Sequence, residues 1–562
     1  MKKYFVVLVC LCLSFFAFGQ ESLKSYEEDY YLMLSLTGEA KRNYLSYRTL
    51  SDSIWTVDSS SDVPWQDRNL GTVFTFTPET SVHNWFVDGI DRSFKLKVFG
   101  PDWYNSYNTA APFGQNDGAL WQGRGYNSSL TGGVMLKAYG FEMTLKPQLC
   151  FSQNLEFELV STTKTQNGSE YWYWWGDCDA PQRFGDDAFW TFDWGDSDIR
   201  YNFYTFTVGF GTQAVWLGPA RQNALLLSNN APTFPKLDIG LNRTSLYLPF
   251  LNWYLGDIEM HSWVGKLTES DYFDDDESND HNQYSGFTFS WSVPHIKGLT
   301  FGFNKVCMCK WGDAYWLYYL NPFFVGNVFG KWVNTSKNIN GEDCKASFTM
   351  DWLFEKVGFE LFAEIGVDDY LANGLKFYEY ARYPFHTITY TAGFCKSFVL
   401  SSTHNIRGEL EAEFDFTEGS RDYYNWPGNT PNFGFHYQIT QGYTNRGQWL
   451  GSGIGYGGNS QYVSFTVYSP HGYDKIFVGR NNIDNNWVNY QISMGTSDNE
   501  RASKWYTAYK ANFYTGVETL WFIPAGFSVK AGALYDLIIN PCYESDNYWN
   551  NFQFSLDFKW TL

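Results

Sequence analysis

Asn551-Phe-Gln-Phe-Ser-Leu-Asp-Phe-Lys-Trp-Thr-Leu562 decides how the rest of the chain is read. Phe552, Phe554, Leu556, Phe558, Trp560 and Leu562 are large and apolar, and Gln553, Ser555, Asp557, Lys559 and Thr561 alternate with them. Side chains on a strand point to opposite faces with period two. One face is therefore wholly apolar and the other wholly polar, up to the last residue. A sandwich strand of a soluble protein can carry this pattern but rarely closes the chain with it. A terminal amphipathic strand of about 9–11 residues fits a transmembrane barrel, with lipid outside and a wet lumen inside.

The same period runs back through the chain. Phe94-Lys-Leu-Lys-Val98, Phe141-Glu-Met-Thr-Leu-Lys146, Phe287-Thr-Phe-Ser-Trp-Ser-Val293, Leu299-Thr-Phe-Gly-Phe303, Phe348-Thr-Met-Asp-Trp352 and Phe359-Glu-Leu-Phe-Ala-Glu364 alternate. So do residues 408–416, 462–468 and 527–535. Clusters of Gly, Asn, Asp and Pro separate these stretches, as expected of hairpins. From about residue 70 onward this predicts an antiparallel transmembrane β-barrel of roughly 16–20 strands. No repeat of fixed period supports a propeller.

Composition agrees. Aromatic residues make up 20% of the chain, with Trp 25, Tyr 41 and Phe 49, against 18% charged residues. Girdles of Trp and Tyr at both membrane interfaces account for such an excess of rings. The formal charge of −20 argues against a nucleic-acid partner, which needs a basic surface.

Residues 1–19 read as a secretory signal. Lys2 and Lys3 precede an apolar stretch, and Ala17-Phe18-Gly19 is a small-x-small cleavage site. Cys10 and Cys12 follow Val9 and Leu11 rather than a small residue, which speaks against lipidation. No other stretch approaches the ~18 apolar residues of a membrane helix. The remaining cysteines, Cys150, Cys178, Cys307, Cys309, Cys344, Cys395 and Cys542, are odd in number. They are expected to be small apolar side chains on strands, with no metal site.

Residues 20–68 have a different character from the alternating stretches. Tyr26-Glu-Glu-Asp-Tyr-Tyr-Leu-Met-Leu-Ser-Leu36 is rich in helix formers. Tyr30, Met33 and Leu34, with Ala40 and Tyr44 beyond, recur at helical steps. Glu27, Glu28 and Asp29 suit a first turn, and Gly38 a terminus. A second short helical stretch is expected over 47–55, then a Ser-rich linker over 58–64. The segment reads as a small helical cap at the periplasmic mouth, with residues 69–562 as the barrel.

Three stretches resemble the capsule assembly protein Wzi family of outer-membrane proteins. The first is Asn116-Asp-Gly-Ala-Leu-Trp-Gln-Gly-Arg-Gly-Tyr-Asn127. The second runs from Arg183-Phe-Gly-Asp186 through Phe192-Asp-Trp-Gly195 to Trp216-Leu-Gly-Pro-Ala-Arg-Gln-Asn-Ala-Leu-Leu-Leu-Ser-Asn-Asn-Ala-Pro232. The third is Gly442-Tyr-Thr-Asn-Arg-Gly-Gln448 with Gly457-Gly-Asn-Ser-Gln461. The resemblance implies a barrel of about 18 strands with a helical bundle at its periplasmic mouth. It also implies a non-catalytic surface lectin that helps attach capsular or related polysaccharide to the cell.

Sugars are held by aromatic rings against their C–H faces and by carboxylates, amides and Arg at their hydroxyls. Trp172, Trp174 and Trp175, followed by Asp177 and Asp179, combine both kinds; the same tryptophans suit an interfacial girdle. Trp216, Arg221, Asn223 and Asn229 are further candidates, to line the lumen or to pin a plug. Asp274-Asp-Asp-Glu277 reads as a solvated outer loop rather than a calcium site, since the EF-hand spacing and its Gly are missing.

Gly453-Ile-Gly-Tyr-Gly-Gly458 lacks the strand and helix that a dinucleotide loop needs, and no His-Glu-x-x-His or Gly-x-Ser-x-Gly occurs. No enzyme activity and no cofactor are expected. The expected partners are polysaccharide, outer-membrane lipid and the machinery that inserts barrels, around a monomer. A porin-like channel for sugars is the competing reading, separated from the first by whether the lumen is filled.

Overall fold

The computed structural model describes residues 25–50, 55–57, 63–65, 72–79, 82–160, 178–274, 276–313, 341–368, 388–418, 433–436, 438–483, 485 and 509–561. The residues of the secretory signal lie outside these, as do Ser59, Ser60 and Ser61 of the linker.

One antiparallel sheet closes on itself, the last strand, Tyr548–Trp560, pairing with the first, Phe94–Asn108. Phe141–Leu145 and Gln148–Ser152 are halves of one interrupted strand, as are Phe189–Asp193 and Asp198–Phe203. The wall then has 18 strands. Every stretch read as alternating lies in it. The connections at one end are short, such as 139–140, 204–205 and 470–471, and those at the other are long, such as 417–458. Short turns mark the periplasmic end of such barrels. No helix among the described residues is long and apolar enough to cross a membrane.

The last strand shows how the wall divides. Phe552, Phe554, Leu556 and Phe558 point out, with Phe554 55% exposed, whereas Asn551, Asp557 and Lys559 are buried inside. Neighbouring strands repeat the division with Phe141, Met143 and Leu145, and with Phe206, Val208 and Phe210. Outward apolar rows suit lipid, where only a closed sheet satisfies its backbone.

The inside differs from the expected wet lumen. Trp263, Tyr284, Val306 and Met308 of the wall pack with Tyr47, Val215, Leu217, Leu226, Tyr443, Leu450 and Tyr456 in one apolar core. Trp263 and Val306 each have an apolar neighbour on the opposite face, Val264 and Cys307. Such unbroken runs are what a strand buried on both faces carries. Glycines make room beneath the inward rings: a Cβ on Gly286 would stand 1.9 Å from Cζ2 of Trp263.

Helix Tyr26–Ser35 forms as expected, capped by Ser25, whose hydroxyl accepts from the Glu28 N–H at 3.1 Å. Two of its three first-turn acids are buried. Glu27 pairs with Lys559 of the last strand at 3.0 Å, and Glu28 lies 3.5 Å from Arg48. Tyr30, Met33 and Leu34 pack with Trp65, Tyr468, Tyr473 and Leu520 in the mouth.

The structure corrects two expectations. Among the described residues of 47–55 there is no helix; Tyr47–Thr49 is a strand, and Ala40–Lys41, beyond the helix terminus, is another. Tertiary pairing overrides a weak local preference in so short a stretch. Cys307 and Cys344 are not inert side chains either. They oppose one another on adjacent strands and form a disulfide, which register rather than sequence spacing brings about.

Candidate functional site

The long connection 212–235 turns back into the barrel and fills it from the outer end. Its backbone is held by acids on the inner face of the wall. Glu413 accepts the N–H groups of Arg221, Gln222 and Asn223 at 2.6, 3.0 and 2.7 Å. Asn223 donates to Asp415 at 2.8 Å, Gln222 to Glu411 at 2.6 Å, and Arg221 to Glu360 at 2.6 Å. The N–H of Leu225 reaches Glu364 at 3.2 Å. Buried backbone donors need acceptors, and a carboxylate makes the stronger, charge-assisted bonds. Glu411, Glu413 and Asp415 recur every second residue, so they share the inner face of one strand.

The N-terminal segment fills the barrel from the periplasmic end by the same device. Glu259 accepts the N–H groups of Leu45, Ser46 and Tyr47 at 3.1, 2.8 and 2.9 Å. The Tyr47 ring stacks on His261, centroids 3.9 Å apart and planes 9° apart. The two fillings meet. Tyr47–Thr49 pairs antiparallel with Val215–Leu217, and Glu360 holds both Arg42 and Arg221.

Two outer connections lock the plug from above. Tyr443 and Tyr456 donate to the carbonyls of Leu226 and Leu225 at 2.7 and 2.6 Å, and Ser228 donates through its N–H to Leu450 at 2.9 Å. The Gly118 N–H donates to Asn229 O at 2.7 Å, and Gln448 Nε2 to Gly118 O at 2.8 Å. The three sequence stretches that carry the family resemblance therefore converge on one another over the plug.

The candidate residues fall in different places. Trp172, Trp174, Trp175 and Asp177 lie outside the described residues. Asp179 is buried and accepts from Ser270 N and Oγ at 2.6 and 2.5 Å, joining two outer loops. Burial pushes its carboxyl up to about 6, against the Ser270 donors that pull it down. Trp216 is enclosed with Leu50, Ala214, Ala220 and Ala224, its Nε1 donating to Ala220 O at 2.8 Å. Arg221 and Asn223 come together on the acid row. Asn229 donates through Nδ2 to Asn116 O at 3.2 Å, and the Asn116 side chain in turn donates to Gln222 O at 2.9 Å. All five are enclosed by protein.

The sequence reading missed the acids that hold the plug, although Glu409-Leu-Glu-Ala-Glu-Phe-Asp415 signals them: every inward position carries an acid. It also missed a set of rings among the outer loops. Trp121 lies 5.0 Å from Phe184, and Phe184 5.9 Å from Tyr272, with Trp121 and Tyr272 half-buried. In the acidic loop, Glu269 is buried and Asp274, Asp276 and Asp280 surround it with Asp179. Burial and these neighbours push its carboxyl up to about 9. The Cys307 and Cys344 sulfurs and a Glu342 carboxylate oxygen lie within 4.8 Å of one another, but the disulfide removes both thiolates a metal would need.

Residues 189–472 match the family model described as capsule assembly protein Wzi. No curated protein matches the chain in sequence. Among solved structures, Wzi of Escherichia coli superposes with a TM-score of 0.51 at 12% identity, covering 85% of this chain and 86% of that one. That protein is described as an outer-membrane, carbohydrate-binding β-barrel involved in group 1 capsule assembly. OprB of Pseudomonas putida superposes with a TM-score of 0.36 at 11% identity, covering 82% of this chain and 94% of that one. OccAB4 of Acinetobacter baumannii gives 0.37 at 7%, covering 83% and 97%. At 12% identity the likeness to Wzi is one of fold.

Proposed function

The chain belongs to the capsule assembly protein Wzi family and is a bacterial outer-membrane protein, and from this we propose that it binds a surface polysaccharide at its outer face. In this reading it helps assemble or attach a capsular or exopolysaccharide layer and catalyses no reaction. Residues 1–19 direct export, residues 20–68 enter the barrel from its periplasmic end, and residues 69–562 form the barrel.

The filled lumen carries this reading. A solute channel needs a path through the barrel. Here the N-terminal segment and the 212–235 plug meet as paired strands across the interior and rest on carboxylates of the wall. That arrangement leaves the outer face as the place for a large ligand. Trp172, Trp174, Trp175 and Asp177, outside the described residues, are proposed to bring rings beside a carboxylate to the ligand, and Trp121 and Tyr272 add part-exposed rings. A single ring–sugar contact is weak, but a long polymer engages many barrels at once, and avidity then exceeds single-site affinity.

The test is to delete the gene and complement it with the native chain or with Trp172, Trp174 and Trp175 together changed to Ala. The deletion should shift polysaccharide from the cell surface to the medium, and the native chain should restore it. The triple variant should assemble but fail to restore attachment. Unchanged surface polysaccharide in the deletion would sink the proposed function. An active triple variant would move the site elsewhere, first to Trp121 and Tyr272.

A further inference from the structure

The wall has a weak place where its ends meet. The last strand pairs with the first only as far as Lys559 opposite Asp102. Below that, toward the periplasm, Phe94–Val98 would present an open sheet edge. Strand Thr72–Phe76 occupies this edge, with Phe74 opposite Leu96 and Phe76 opposite Phe94. Unpaired backbone is not tolerated against lipid, so this strand completes the lower seam.

Its side chains continue the outward rows of the wall. Register links Phe76 through Phe94 and Ala138 to Phe141 and Tyr201. It links Phe74 through Leu96, Leu136 and Met143 to Ile199 and Phe210. Phe74 and Phe76 are exposed, as are Phe141, Met143, Ile199 and Phe210 in the same rows. The chain then crosses the outside of the wall. Short helix Trp85–Asp88, capped by Asn84, sets Trp85 and Phe86 against Phe203, with ring centroids 5.1 and 5.9 Å away. Phe203 opposes Phe206, an outward side chain of the next strand. Tyr204, in the periplasmic turn, donates its hydroxyl to Trp85 O at 2.9 Å. Trp85 is 71% exposed and Phe86 58%. His83 and Asp88 pair at 3.1 Å on the polar side of the same turn.

We propose that residues 72–79 and 82–88 form a collar seated in the inner leaflet of the outer membrane. Phe74 and Phe76 meet acyl chains, and Trp85 and Phe86 lie at the headgroup boundary. The occupant of this surface is phospholipid, because the rows it extends are the lipid-facing rows of the barrel. Trp is the residue most suited to that depth.

Photocrosslinking tests this in the full chain, reconstituted into vesicles of phosphatidylethanolamine and phosphatidylglycerol. A benzophenone amino acid replaces Phe86, with Phe554 as a lipid-facing control and Lys297, exposed in a periplasmic turn, as a water-facing one. After irradiation, lipid adducts at Phe86 should come within about two-fold of those at Phe554 and stand roughly ten-fold above Lys297, as expected of an interfacial side chain. Folding is read by heat-modifiable gel mobility, and the same replacement at Phe76 carries the test if the Phe86 variant does not fold. Adducts at the Lys297 level would overturn the proposal. So would a covalent dimer in place of a lipid adduct, since the surface would then serve a second copy.

Discussion

Arg48 and Trp216 oppose one another as strand partners inside the barrel, the guanidinium carbon 5.4 Å from the indole centroid. One belongs to the periplasmic filling and the other to the outer plug, so each filling supports the other. Deleting residues 21–60 should leave an inserted barrel whose plug is held from one side only. In planar bilayers the native chain should show almost no conductance and the truncated chain a clear rise. Equal conductance in both would mean that the N-terminal segment does not help close the barrel.

Glu413 holds three consecutive backbone donors of the plug. Glu413→Ala would orphan them at a cost of about 1–3 kcal/mol per donor. The loss should fall on the plug rather than on the wall. Added protease should then cut within 212–235 on intact cells, while heat-modifiable mobility of the barrel persists. Glu413→Gln keeps an acceptor and should be intermediate. A plug as resistant in Glu413→Ala as in the native chain would show that the tyrosine bonds from above suffice.

Phe554 lies near the middle of the outward face of the last strand. Phe554→Arg should cost about 2–4 kcal/mol if the site is close to the bilayer midplane, read as a lower guanidinium midpoint for unfolding from lipid vesicles. An unchanged midpoint would place this row out of the membrane.

Glu269 in the outer loops carries a raised carboxyl, pushed up to about 9 by burial and by Asp274, Asp179, Asp280 and Asp276. The closed loop therefore binds a proton that the open loop gives up. Closure is fully supported below the ordinary carboxylate range and weakens as pH rises toward 9, by up to about 1.4 kcal/mol per pH unit. Hydrogen exchange over residues 269–280 should quicken from pH 5 to pH 9 beyond the intrinsic pH effect. Glu269→Gln should flatten that excess. The same excess in Glu269→Gln would assign it to another group.

The wall was legible because its signal is local. Side-chain direction alternates along any strand, so Phe552 to Phe558 declare a lipid face without knowledge of their neighbours. The helix at Tyr26–Ser35 was legible for the same reason, through its acids and its helical spacing. The strand at Tyr47–Thr49 was not, because its pairing partner is Val215–Leu217, far along the chain. The disulfide was hidden likewise, since only the register of two strands sets Cys307 opposite Cys344. Trp216, Arg221, Asn223 and Asn229 were legible as a polar-aromatic group, but their place in the plug and the role of each were not. Arg221 and Asn223 could equally have faced a ligand until Glu360, Glu413 and Asp415 were placed beside them.

By itself, the sequence determined a membrane barrel, its outward face, its N-terminal helix and its family, since period, composition and motif order are properties of the chain read locally. Only the tertiary structure decided that the lumen is filled, that its acids hold backbone donors, and that the two fillings meet at Arg48 and Trp216. Those contacts join residues some two hundred positions apart. What a buried carboxylate does depends on the donors that folding brings to it, and no spacing along the strand encodes them.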